Sequence, residues 1–144
     1  MNNSDNDIAD SRTQTGDEFV HALVTKAEEL TIESGGVPPR YRRVLSGRTF
    51  DTTTAELLAF VESGPGKEPY LWFNESLYRT NNNAFFLVGE GMAGSAWSDR
   101  SRGEARRGHG IVPLTDDQAR DWLEIRKLTQ EYEQVFGLPQ EAGS

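Results

Sequence analysis

The stretch Leu77 to Gly91, LYRTNNNAFFLVGEG, decides the fold. Leu77, Tyr78 and Thr80 favour a strand. Asn81, Asn82 and Asn83 tolerate the left-handed backbone of a tight turn, and Ala84 to Val88 is an apolar run short enough for a buried strand. Together they predict a β-hairpin over residues 77–88. Gly89-Glu90-Gly91 is expected to end it, because two glycines around one acid release the chain from a sheet. The flanking residues read as helical or polar, which puts this hairpin at the sheet centre.

On the C-terminal side, Met92 to Gly110 is rich in Gly, Ser and Arg and holds one tryptophan, Trp97. It reads as a long mobile loop over about 92–110, concentrating charge at Arg100, Arg102, Arg106 and Arg107. Ile111 to Leu114 returns to strand character, and Thr115-Asp116-Asp117-Gln118 forms a capping box. One helix is expected from there, with Ala119, Trp122, Leu123, Ile125, Leu128, Tyr132, Val135 and Phe136 on its apolar face and Gly137 at its end. Trp122 is then a core anchor, and Trp97, in the loop, is expected to matter far less to stability.

On the N-terminal side, Tyr70 to Phe73 is strand-like, with Trp72 and Phe73 expected in the core. Thr53 with Glu56 makes a second capping box and Gly64-Pro65-Gly66 a stop, which predicts a short helix carrying Leu57, Leu58, Phe60 and Val61 on its buried side. Arg40 to Leu45 and Arg48 to Phe50 read as two short strands around the turn dipeptide Ser46-Gly47. Val37-Pro38-Pro39 is an extended connector. Before it, Thr15 to Glu18 caps a helix placed within residues 16–36, with Phe19, Val20, Leu23, Val24, Ala27, Leu30 and Ile32 in one stripe; His21 lies off that stripe. Residues 1–15 are too polar to offset their ordering entropy and read as a disordered leader.

The chain of 144 residues is one domain's length, and residues 37–144 are expected to form it. With no cysteine and two histidines, disulfides, thiolate sites and multi-histidine metal centres are excluded, and no cofactor is expected. No apolar run reaches the roughly 20 residues of a membrane helix, so no membrane association and a cytoplasmic location are expected. The formal charge of −8 is uneven: residues 1–36 carry −6, residues 37–110 carry +2 and residues 111–144 carry −4. Such a distribution offers acidic ends to a basic partner and a basic middle to an anion.

No nucleophile stands in a catalytic setting, and Gly89-Glu90-Gly91 lacks the lysine and further glycines of a phosphate loop. Glu90, His109 and Tyr78 form the best catalytic constellation, if the fold gathers them. Arginine and tryptophan are the residue types that anchor protein interfaces, so Trp97, Arg100, Arg102, Arg106 and Arg107, with His109 and Glu90, are the candidate partner-binding residues. The same arginines with Trp97 would suit nucleic acid, although Asp99 and Glu104 dilute their charge.

The order of RTFDTTTAELLAF, LYRTNNNAFFLVGEG and IVPLTDDQARDWLE resembles a group of small phage- and plasmid-borne accessory proteins, α+β domains loosely associated with anti-defence proteins such as anti-CRISPR inhibitors. The resemblance covers about two-thirds of the chain and implies mostly fold. The group has a second glycine where Met92 stands here, a shorter loop after it and no counterpart of the N-terminal helix. The expectation is therefore an α+β domain: a small antiparallel sheet centred on the 77–88 hairpin, helices packed on it, and an N-terminal helix. Its expected function is non-enzymatic, the inhibition or modulation of a host protein or ribonucleoprotein complex that handles nucleic acid. Direct nucleic-acid binding is the alternative, and an enzyme using Glu90 and His109 the third reading.

Overall fold

A computed structural model of the chain describes residues 32–34, 38–63 and 69–143. Its fold is α+β. Strands β1 (Ile32–Ser34), β4 (Glu56–Ser63), β5 (Phe73–Arg79), β6 (Phe85–Gly91) and β7 (Gly108–Leu114) form one antiparallel sheet in the order β1-β4-β5-β6-β7. Strands β2 (Arg42–Leu45) and β3 (Arg48–Asp51) form a separate hairpin, and helices α1 (Asp116–Ile125) and α2 (Thr129–Phe136) end the chain.

The predicted hairpin is β5-β6, with β5 the middle strand of the sheet and Tyr78 opposite Phe86. The turn is closed by Asn83 N–H to Thr80 O (2.9 Å) and Thr80 N–H to Ala84 O (2.8 Å), with Asn83 at a φ of 62°. The glycines do not end the hairpin. Gly89, Glu90 and Gly91 continue β6, paired to Glu75, Asn74 and Phe73. Their missing side chains make room, since a Cβ on Gly89 would run into the Trp97 ring and one on Gly91 into Ser95.

Alternation divides the sheet into two faces. Ala59, Val61, Phe73, Leu77, Phe85, Leu87, Val112 and Leu114 point to the helices, where Ala119, Trp122, Leu123 and Leu128 close the main core. Tyr78, Phe86, Val88 and Ile111 point the other way and are covered by Phe50, Tyr41, Leu45 and Ala55 of the β2-β3 region. That hairpin turns through Ser46 (φ 52°) and Gly47 (φ 75°), two successive positive φ values as a two-residue primed turn requires.

Three further expectations, about secondary structure, are corrected. The helix expected over the ELLAFVES segment is strand β4, paired along β5 with one register shift between Leu57 and Ala59. The Thr53 capping signal is used otherwise: the Asp51 carboxylate accepts the Thr53 N–H (2.8 Å) and the Asp51 carbonyl the Ala55 N–H (3.1 Å), so a single turn forms before the chain extends. Ile32–Ser34, expected to close the N-terminal helix, is strand β1 on the edge of β4; the leader and residues 16–31 lie outside the described residues. The single C-terminal helix is two. Arg126 and Lys127 interrupt it, Lys127 at a φ of 60°, and α2 resumes at Thr129 with Tyr132, Val135 and Phe136 packed against the main core.

The segment Met92 to Gly110, expected to be mobile, folds across the helical face of the sheet. Trp97 is 1% exposed, Gly94, Ser95 and Ser98 are buried, and the last three residues, Gly108 to Gly110, belong to β7. Glycine at 89 and 108 allows this close approach, because a side chain at either would meet Trp97.

Candidate functional site

Counting back from the asparagine turn places Glu75 at the centre of β5, facing the helices. It is fully buried and accepts four donors: the indole N–H of Trp97 (2.9 Å), the indole N–H of Trp122 (2.8 Å), and Arg126 Nε (2.9 Å) and a terminal guanidinium nitrogen of Arg126 (3.0 Å). Arg126 also lies over the Phe73 ring, 4.9 Å from its centroid. A carboxylate so occupied ties together the sheet, the loop and the helices. It has no oxygen left for chemistry on a substrate.

The opposite face carries a second polar cluster near the end of the sheet away from the asparagine turn. Register puts Glu62 of β4, Asn74 of β5, Glu90 of β6 and His109 of β7 in one row across four strands. Glu90 accepts from Asn74 Nδ2 (3.0 Å) and, through its other oxygen, from Arg107 (3.1 Å). The Arg107 guanidinium lies 5.5 Å from the centroid of the Trp72 ring, and the Trp72 indole N–H donates to Glu62 (3.0 Å). Tyr41, entering from the residues before β2, stacks on His109 with centroids 4.9 Å apart and planes 3° from parallel, and hydrogen-bonds Glu90. Burial holds the Tyr41 hydroxyl above its ordinary pKa, as do the negative charge of Glu90 and the bond to it, while Arg107 opposes the shift.

Glu90 and His109 are therefore brought together, as the catalytic reading required, but Tyr78 is not. It sits four residues along β5 from Asn74 and stacks on Phe86 at 5.2 Å. Tyr41 takes the place expected for it. Both Glu90 oxygens are engaged, and among the described residues no group of three or more His, Cys, Asp or Glu could hold a metal ion.

The arginine set separates. Arg107 is 58% exposed while bound to Glu90, so it both joins the row and presents itself outward. Arg106 is exposed, with its backbone paired to Asp99 in an isolated bridge; Arg100 and Arg102 are exposed at the loop tip. Trp97, the expected anchor, is a core residue and has no surface to offer a partner. Sequence reasoning did not connect Tyr41, Glu62 and Asn74 to this cluster, and it expected Trp72 in the core, whereas Trp72 is half-buried against Glu62 and Arg107. Only the cross-strand register could have found the cluster, because no local pattern joins residues 41, 62, 74, 90 and 109. Compared with known protein families, with curated proteins and with solved structures, the chain matches none.

Proposed function

We propose that this chain is a non-enzymatic binding protein that inhibits or modulates a larger nucleic-acid-handling complex, engaging it through Tyr41, Trp72, Arg107 and His109. The observation carrying this reading is Glu90: its charge is absorbed by Arg107, Asn74 and Tyr41. The result is a patch of arginine and aromatic groups already held in position. Tyrosine, tryptophan and arginine supply most interface hot spots, and side chains ordered before contact lose less entropy on binding. The acidic outer side of the helices, with Asp116, Asp117, Asp121 and Glu124 exposed, supports a partner that also carries basic surface. Arg100 and Arg102, exposed on the loop tip, contribute to encounter rather than to the anchor.

The test is quantitative capture from host lysate with tagged wild-type protein and with the Trp72→Ala/Arg107→Ala variant, both checked for folding. A partner retained by the wild type and lost by the variant supports the proposal. Equal capture by both would move the binding surface elsewhere.

A further inference from the structure

A cleft of about 320 Å³ lies between β3 and the β5-β6 turn, lined by Arg48, Thr49, Phe50, Thr80, Asn82 and Ala84. It is separate from the row described above and shares no residue with it. That volume falls at the lower end of the range for small-molecule sites.

We propose that this cleft binds a phosphate monoester. Its lining contains a cation and no carboxylate, which sets the sign of the ligand. Arg48 makes no ion pair among the described residues, so its guanidinium fork is available for the two-point contact that phosphate oxygens accept. Thr80 Oγ1 already accepts the Ala84 N–H (3.1 Å), which leaves the hydroxyl proton to donate outward. Thr49 and Asn82 add a hydroxyl and an amide donor. The turn carrying Thr80 and Asn82 is closed by its own backbone hydrogen bonds, so these donors are held by a fixed scaffold. Phe50, at 5% exposure, forms an apolar wall on which the carbon side of a small ester can rest.

The experiment is thermal unfolding at constant ionic strength with added inorganic phosphate, phosphoserine or single-stranded oligothymidylate, using wild type, Arg48→Gln, Asn82→Ala and the control Arg102→Gln. Ligand bound only by the folded state raises the midpoint in a concentration-dependent way. The expected result is a rise with phosphate and phosphoserine for wild type and Arg102→Gln. Apparent affinity should be about tenfold weaker in Arg48→Gln and partly weakened in Asn82→Ala. No rise in wild type, a rise preserved in Arg48→Gln, or a response confined to the oligonucleotide would each overturn the proposal. None of these variants touches Trp72 or Arg107, so failure here leaves the partner-binding reading to its own test.

Discussion

Glu75 and Arg126 are buried charges whose cost is offset by their two-point pairing and by the two indole donors to Glu75, with one terminal guanidinium nitrogen of Arg126 left without a hydrogen bond. Glu75→Gln removes the charge opposite a guanidinium that stays in the core, and should destabilise by about 3–5 kcal/mol in denaturant unfolding. Pairing it with Arg126→Met should recover part of that loss, because the glutamine oxygen still accepts one indole N–H while the other goes unpaired. Trp97→Ala and Trp122→Ala should each cost about 3–5 kcal/mol, since both rings are almost wholly buried and both donate to the same carboxylate. A much smaller loss at Trp97 would restore the exposed-loop reading. Trp122 was legible from its place on a helical stripe. Trp97 was not, because its burial depends on Gly89 and Gly108, which lie on two different strands either side of it and meet it only once β6 and β7 pair.

Elements were legible where local and tertiary preferences agree. The β5-β6 hairpin, the Ser46-Gly47 turn and the Thr115 capping box, with Thr115 Oγ1 accepting the Gln118 N–H (3.1 Å), follow from residues adjacent in sequence. β4 was not legible, because Leu57, Leu58, Phe60 and Val61 fit a short helix as well as a strand, and pairing with β5 decides between them. The break between α1 and α2 was hidden for a similar reason: the apolar spacing continues through it, while Lys127 takes a left-handed conformation that no lysine announces. Lys127→Gly should therefore stabilise by about 0.5–1 kcal/mol, since glycine adopts this conformation without the steric cost of a Cβ. A loss of stability on that change would mean that the lysine side chain holds the turn in some other way.

At the scale of the whole molecule, the two faces of the sheet carry different chemistry: acidic helices over the main core on one side, and the Tyr41, Trp72, Arg107 and His109 patch on the other. Folding also responds to alkali through this second face. Burial, then Glu90, raises Tyr41 above its ordinary value near 10, and burial raises Tyr78 against the opposing charge of Arg40. A raised folded-state value means that the folded protein holds these protons more tightly. Their contribution is full below about pH 10 and is lost as pH rises through the folded values. Stability should therefore fall above about pH 10, and Tyr41→Phe should flatten that fall; an unchanged pH profile in the variant would remove Tyr41 from the account. The binding claim is tested most directly by titrating the partner recovered in the capture experiment with purified protein, following binding heat, partner activity and the partner's intact mass together. The account predicts saturation at a fixed stoichiometry, an unchanged partner mass, and loss of binding in the Trp72→Ala/Arg107→Ala variant; inactivation by a trace of protein with a mass shift, abolished by Glu90→Gln while binding persists, would contradict it.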